Sequence, residues 1–527
     1  MKALQNFLLV FFLFLFIVPM DAKTYNILDF GAVADTSIIC TKAIQNAIDI
    51  CNTNGGGVVV VPAGQFKTGT IVLKSHVNLF LEPGAVLYGS KNLGDYLKLK
   101  PGYVSLRTQE ATIQLIYAEN CENVSITGYG EINGQGSTFK KLSWNDEGIT
   151  RPHLLRFIGC SNVLVENITL KNSGCWMQHY LACEKLQIRG VRVFNRNNFN
   201  NDGLDIDGCK NVTVSDFISD SDDDGITLKS TSPRKCENIV ITNCVVSSHC
   251  NAIKLGTEST GGYKNIVISN CVVHPSENQD TVYYGSKNGT SGISLEVVDG
   301  GSLEDVSISN IHIEGTQSPL FIRLGNRARP YKKGIEVNNI GILRGISISS
   351  VRIKNAKGFG CSITGQPGFP VENIRLSNIC MEMEGGCTVD STHKKIAEKP
   401  KDYPEATMFG MLPAYGFYIR HARNITFAGL EITNRKDDAR PAFFFDDVCL
   451  AELYSTKLSS SQNNEANIWL NQSSDILIQG NSVAGDSKCF VKIVGDRSSN
   501  ISIRNNSLGN IHKIYEKEKG ISCKIRK

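Results

Sequence analysis

The sequence predicts an all-β protein, a single right-handed parallel β-helix capped at its N-terminal end by a helix. Three observations point there. Short strand-like segments recur with a loose period. No helical pattern separates them. A lone amphipathic helix precedes them all. Short alternating strands at a fixed spacing, stacked coil on coil, are the signature of a solenoid; a propeller would need four strands and a longer period per unit.

The repeat unit is a small polar pair, often containing Asn, then alternating apolar residues, then Asn or Gly. It reads E-N-V-S-I-T-G at Glu122, S-N-V-L-V-E-N at Ser161, E-K-L-Q-I-R-G at Glu184 and K-N-V-T-V-S-D at Lys210. It continues at Glu237, Lys264, Glu304, Arg344, Glu372, Arg423, Ser474 and Ser499. The tightest spacings are 23 to 28 residues, one coil apiece, and the gaps of about 40 and 51 residues imply loops inserted into a turn. Residues 138–152, 275–291, 325–339 and 384–418 are the main insertions, and insertions of this kind mark the binding face. Asn at the turns bonds its own backbone and can stack in ladders.

Ahead of the repeats, Thr41 reads as an N-cap, with Ile44, Ala47, Ile48 and Cys51 at helical spacing, and the helix stops at Asn54-Gly55-Gly56-Gly57. Such a helix suits the open end of a coil, which would otherwise expose core and unpaired strand edges. Lys2, the apolar run Phe7 to Val18 and small Ala22 read as a secretory signal over residues 1–22, leaving residues 23–527 as one β-helix domain. The apolar run is too short for a convincing membrane span, so a secreted or periplasmic, monomeric protein is expected.

The 527 residues carry a formal charge of +4, with 20% charged and 41% hydrophobic residues. That composition is globular and gives no argument for a nucleic-acid partner. Seventeen cysteines without a C-x-x-C give no zinc or redox motif. Cys244, Cys271 and Cys380 sit in similar repeat contexts and read as a stacked column of small side chains, with some disulfides expected in an oxidising compartment.

The chemistry concentrates in residues 197 to 258. Asp202 lies twenty-one residues before Asp223, which Asp224 follows. One coil of that length places the three carboxylates on neighbouring layers, ~4.8 Å apart. Crowded carboxylates raise one another's proton affinity, so one stays protonated near neutral pH. A neutral acid beside an ionised carboxylate is what glycoside hydrolysis needs. Asp222 reads as an ordinary solvated turn residue. Asp205 and Asp207 alternate with Ile206, point outward and order the turn. Asp446 and Asp447 read as structural or as rim.

At these residues the chain resembles glycoside hydrolase family 28, the polygalacturonase family, and its bacterial branch most. The likeness includes the opening F-G-A, the helix followed by G-G-G-V-V-V-V-P-A-G, and L-E-P-G-A-V-L. The family's N-T-D matches Asn200-Asn201-Asp202, with Asn201 in place of Thr, and its Asp-Asp matches Asp223-Asp224. The resemblance implies Asp223 as general acid, with Asp202 and Asp224 holding the water. It also implies inversion, which requires carboxyls ~6.5–9.5 Å apart. Neither metal nor organic cofactor is implied.

Two departures stand out. The family's G-H-G histidine slot, counted back from Gly256, falls on Asn251, while His249 lies two residues earlier. Either a bulge brings His249 to the site or Asn251 serves there. The family's R-I-K slot falls on Gly292-Ile293-Ser294-Leu295-Glu296, which has no cation. The literal Arg352-Ile353-Lys354 sits inside a later repeat and reads as an ordinary strand. Replacement cations are Lys254, Arg323 and Arg327, since arginine forks grip carboxylates at two points; Arg329 reads equally as an exposed loop residue. Trp176 either stacks on a sugar or packs under a loop.

The expected function is an inverting glycosidase cleaving α-linked galacturonate in pectic chains, with exo-action suggested by the insertions. The rivals are the same mechanism on another pectic sugar such as rhamnose, a calcium-dependent polysaccharide lyase using Lys229, Lys254 or an arginine as base, and a non-catalytic carbohydrate-binding β-helix.

Overall fold

Alternation of apolar and polar residues puts one side of every short strand inside a coil, and the coils stack. In the computed structural model, residues 23–107, 110–277, 287–521 and 524–526 are described. The segment read as a signal, residues 1–22, lies outside them, as do Cys523 and part of the 275–291 insertion. Among the described residues no helix is long and apolar enough to cross a membrane.

The named strands pair in parallel throughout, each with the strand one coil earlier and the strand one coil later. One ladder runs Gln178–Leu181, Leu204–Asp207, Ile226–Ser230, Asn251–Ser259, Ser291–Val297, Ser318–Leu324 and Cys361–Thr364. A second stacks Glu184–Arg189, Lys210–Ser215 and Cys236–Thr242. Inward residues such as Leu186, Val212, Ile239 and Ile266 share a register column and belong to one continuous core. Helix Thr41–Thr53 buries Ala43, Ile44, Ala47, Ile48 and Cys51 against the first coils. Its N-cap is Cys40, not Thr41: the Thr41 hydroxyl instead accepts the Gly69 N–H at 2.7 Å, tying the helix to the coil beneath it.

The turn asparagines stack as the repeat suggests. Asn211, Asn238 and Asn265 all adopt left-handed backbone, and the amides of Asn238 and Asn265 each donate to the asparagine one coil back, at 3.0 and 3.1 Å. Asn tolerates this conformation better than a branched residue does.

The cysteine column differs from the expected one. Cys244 and Cys271 do stack, but the column does not reach Cys380, which is exposed because Ile379 takes the inward position opposite Val351. The longer column is Cys121, Cys160, Cys183, Cys209 and Cys236, each one residue before Glu122, Ser161, Glu184, Lys210 and Glu237, which pair in register from coil to coil. All five are buried free thiols, and the described cysteines form no disulfide. A native thiol-reagent titration is therefore expected to label Cys380 rapidly, with Cys387 and Cys449 slower and the buried thiols only after unfolding. Loss of the fast phase in Cys380→Ser checks the assignment.

Candidate active site

The carboxylates stand at the turns that feed one strand ladder. Leu204 pairs with Ile226 and Ile226 with Ile253, so Asp202, Asp224 and Asn251 occupy one register column on three successive coils. Backbone bonds lock the column: Gly203 N–H donates to Asp224 O at 2.9 Å and Gly225 N–H to Asn251 O at 2.8 Å. The glycine after each aspartate is required by space. A Cβ on Gly203 would sit 2.4 Å from Ser219 Oγ, and one on Gly225 would sit 2.4 Å from Val246 Cγ1.

The asparagine-rich run before Asp202 is scaffold. Asn195 donates to Asp202 O at 3.0 Å, and Asn201 donates to the carbonyls of Ser173 and Cys175 at 3.2 and 3.1 Å. Asn200, in left-handed backbone, accepts from Arg151 at 2.8 Å.

Two buried lysines divide the charge. Lys229 Nζ lies 3.3 Å from Asp202 and from Asp205, and 3.9 Å from Glu258. Lys254 Nζ lies 3.2 Å from Asp224. Burial works against both ammonium groups, yet the surrounding carboxylates outweigh it and raise their proton affinity well above that of an ordinary lysine. The carboxylates respond unequally. Burial, then the charges of Asp202 and Asp224, push Asp223 well above the usual carboxylate range. Burial would also raise Asp224, but Lys254, Lys229 and the Asn251 amide hold it below its ordinary value. Burial raises Asp202 against the pull of Lys229, and burial together with the charge of Asp202 drives the Asp205 carboxyl well above the usual carboxylate range. The surroundings thus favour the neutral form of Asp223 and the ionised form of its neighbour Asp224, opposite directions of the kind that acid–base chemistry uses.

Asn251, not His249, meets these carboxylates. Its Nδ2 donates to Asp224 Oδ1 at 2.8 Å, while its Oδ1 accepts from Ser291 Oγ at 2.6 Å and Thr290 Oγ1 at 3.2 Å, which fixes the amide orientation. His249 is fully buried, with Nδ1 2.8 Å from Asp222 Oδ1. Asp222 is correspondingly buried rather than solvated. The rung's one register shift falls after Leu255, beyond the regular pairing of Ile253 to Leu255, so it does not carry His249 forward two residues. Asp205 and Asp207 do leave the strand on its outer side, but both are buried: Asp205 meets Lys229, and Asp207 accepts from Thr231 N–H at 2.9 Å and lies 3.1 Å from His179.

The predicted cations separate. Arg323 is not available to a ligand: it is buried and donates to Gly365 O, Glu398 O and Lys399 O, anchoring the 384–418 insertion. Arg329 is bound by Asp299 and Glu258. Arg327 stacks over Tyr403, 5.1 Å from its centroid, and its NH1 has no hydrogen-bond partner. Trp176 is 3% exposed, stacked on His153 at 5.6 Å and beneath Lys229 at 4.7 Å, so it packs and offers no open face. Arg352 and Lys354 are exposed on a strand of the stack. In the vacant R-I-K slot, Glu296 is buried and held to about 7, chiefly by burial, with Lys254 pulling the other way. Asp446 and Asp447 bind Tyr418, Asn471 and His421 within the stack.

Two participants were not placed beside the carboxylates by the sequence: Lys229, named there only as a lyase base, and Tyr403. Lys229 carries no motif; only strand register, which pairs it with Asp207, shows where its ammonium goes. Tyr403 lies in the 384–418 insertion, yet its hydroxyl is 3.3 Å from Lys254 Nζ and 3.1 Å from Thr257 Oγ1. A cavity of about 560 Å³ opens beside these groups, lined by Arg107, Glu147, Trp176, Arg327, Arg329 and Tyr403 among others.

Lys229→Met is expected to cost about 3–5 kcal/mol of stability at neutral pH, because it strands buried carboxylates without their cation. Without the cation, the native carboxyls hold protons more tightly, so lowering the pH favours the folded variant. Denaturant titrations of variant and parent should therefore converge as the pH falls.

A sequence profile for glycosyl hydrolases family 28 matches residues 51–401, more than half of the chain. Among curated relatives, a probable polygalacturonase of Vitis vinifera is 31% identical over 223 residues, 40% of this chain and 45% of that one. An exo-poly-alpha-D-galacturonosidase of Dickeya chrysanthemi is 28% identical over 255 residues, 39% of this chain and 42% of that one. The chain thus spans about half the length of the curated relatives it matches. In fold it is similar to the family 28 exopolygalacturonase of Yersinia enterocolitica (TM-score 0.62, 20% identity, covering 83% of this chain and 79% of that one). It is also similar to a hyperthermoactive exopolygalacturonase of Thermotoga maritima (TM-score 0.61, 21% identity, covering 79% and 93%). With the profile matched across both carboxylate turns, this chain belongs to glycosyl hydrolases family 28.

Proposed function

We propose that this protein hydrolyses α-linked galacturonate in pectic chains by single displacement with inversion, releasing sugar from chain ends. Asp223 protonates the leaving oxygen, and Asp202 and Asp224 hold and activate the water. The observation that carries this reading is the unequal treatment of adjacent carboxyls: Lys254 at 3.2 Å and the Asn251 amide at 2.8 Å clamp Asp224 and favour its ionised form, while burial and the neighbouring carboxylates favour the neutral form of Asp223. A molecule that only bound sugars would gain nothing from that arrangement. The relatives named as polygalacturonase and exo-poly-alpha-D-galacturonosidase support the same substrate class.

The cavity supports an acidic sugar and a chain end. Its lining includes Arg107, Arg327, Arg329, Lys332 and Lys333 against Glu110 and Glu147. Insertions 138–152, 325–339 and 384–418 all contribute to its wall, which favours a pocket over an open groove. Arg327, with an unpartnered guanidinium nitrogen, and Lys254 take the role of the absent R-I-K cations. An extracellular polymer as substrate accords with the N-terminal apolar run from Phe7 to Val18.

The lyase reading has less support. A lysine base must lose its proton, and Lys229 and Lys254 are held as ammonium ions by their carboxylates. Asp223, Asp224 and Cys250 bring ligand atoms within 4.8 Å of one another, but burial pushes the Cys250 thiol well up and Lys254 already occupies Asp224. Calcium wants 6–8 oxygens, roughly, and this cluster is a poor cage for it.

Product analysis on galacturonate oligosaccharides with chelator present tests the proposal. Saturated galacturonate is expected from the wild type, with a loss of about 10²–10⁴-fold in Asp223→Asn. Unsaturated product abolished by chelator would move the enzyme to the lyases, and release of only a neutral sugar would replace the substrate.

The pH profile gives a second check. The alkaline limb belongs to loss of the Asp223 proton and should lie well above the ordinary carboxylate range. In Lys254→Met, Asp224 loses the cation that lowers it, so its proton affinity rises. The acid limb should then move to higher pH while the alkaline limb moves less.

A further inference from the structure

Arg107 lines the cavity beside Trp176. Its guanidinium carbon stands 5.8 Å from the Trp176 ring centroid, and the Lys229 ammonium stands 4.7 Å from the same centroid. Arg327 stands over Tyr403 at 5.1 Å, and the Tyr403 hydroxyl lies 3.3 Å from Lys254 Nζ. Each lysine holds one aspartate, Lys229 at Asp202 and Lys254 at Asp224. The cavity therefore has two cationic corners, each built from an arginine, an aromatic ring and a lysine.

The Arg107 corner is set by Glu258. This buried carboxylate accepts from Arg107 Nε and Nη2 at 3.2 and 2.9 Å and from Arg329 Nη1 at 3.3 Å, and it lies 3.9 Å from Lys229 Nζ. Burial would raise Glu258, yet Arg107, Lys229 and Arg329 hold its carboxyl well below the usual carboxylate range. One charge thus serves three cations. Two of them have other carboxylates: Arg329 has Asp299 at 2.6 Å, and Lys229 has Asp202 and Asp205 at 3.3 Å. Among the described residues, Glu258 is the one carboxylate within ion-pair distance of Arg107. Glu147 acts on Arg107 from further off, and burial raises the proton affinity of Glu147. Arg107 is also the open member of its pair, with a side chain 31% exposed against 3% for Glu258.

We propose that Arg107 recognises a sugar carboxylate at the Asp202 side of the cavity and that Glu258 is the residue that positions it. An arginine takes a carboxylate through paired N–H groups in a fixed plane. Glu258 holds the Nε–Nη2 edge and so sets that plane, and the Nη1–Nη2 end is the edge that takes the sugar. The entering carboxylate supplies a second anion to cations that share one. A chain with carboxylates on neighbouring sugars engages Arg107 and Arg327 together, so the assignment deepens the pectic reading and rests on it for its ligand.

Calorimetry on the Asp223→Asn chain, with trigalacturonate and with its methyl ester, tests both roles. Arg107→Gln is expected to weaken trigalacturonate about 10–100-fold and the ester by less than about twofold. Glu258→Asp keeps the charge but shortens its reach. It is expected to weaken trigalacturonate selectively too, with no further loss in the Arg107→Gln background. Arg107 is partly exposed, so its variant should fold; circular dichroism checks both, and Arg107→Gln decides the recognition role by itself if Glu258→Asp does not fold. Equal loss for acid and ester in Arg107→Gln, or no loss for either, overturns the assignment even when the wild type releases galacturonate. A loss from Glu258→Asp that is absent, shared by the ester, or undiminished beside Arg107→Gln leaves Glu258 a structural ion pair and removes its positioning role. Selective binding without galacturonate release in the wild type leaves Arg107 standing and removes the catalytic reading. Absence of trigalacturonate binding to the parent chain overturns the assignment and counts against the pectic substrate.

Discussion

The contact on which the site depends is that of two buried lysines with the aspartates stacked beside them. A parallel coil forces residues at equal register into close columns, and here the columns hold carboxylates. Left alone, such a column would protonate or push apart. Lys229 and Lys254 let it persist, one coil apart, each taking a different carboxylate. Their placement also leaves Asp223 as the carboxyl without its own ammonium contact. The asymmetry in proton affinity between Asp223 and Asp224 follows from which side chains the register brings within reach.

The coil supplies that register through small residues and backbone bonds. Glycines after Asp202 and Asp224 let successive turns approach until the backbone N–H of one bonds the carbonyl of the next. Asparagine ladders at other corners repeat the lock without charge. The insertions then build a wall: Arg323 and an apolar cluster of Phe321, Phe409, Leu412 and Tyr418 pin the 384–418 loop, which delivers Tyr403 to Lys254. The wall is packed against the coil by these apolar contacts.

The coil itself was legible because its signal is periodic: alternation sets the inward face, and one turn separates Asp202 from Asp224, with Asp223 one residue before the column. The carboxylate column followed from the same arithmetic. The other readings failed where a neighbour rather than a period decides. Asn251 against His249 was undecidable until strand pairing put Asn251 in the column of Asp202 and Asp224, with the rung's register shift falling only after Leu255. Arg323 sat in a basic cluster, but its guanidinium turns inward to backbone carbonyls that sequence distance hides. Lys229 was named only as a rival's base, since one lysine on a strand has no local signature. Thr41 and Cys380 were assigned by local pattern, and each was displaced by a contact or register from another coil.

The stacked cysteines carry a consequence for how this molecule must be made. Parallel neighbours sit at a spacing that a disulfide can bridge, and five such neighbours lie in one file. Once wound, the coil hides them from any oxidant. A nascent chain that lingers half-wound in an oxidising milieu offers the same five thiols to one another and to other chains, in pairings that would freeze the wrong register. Winding must therefore outrun oxidation. In such a milieu the yield of correctly wound protein becomes a contest of rates, settled before stability has any say.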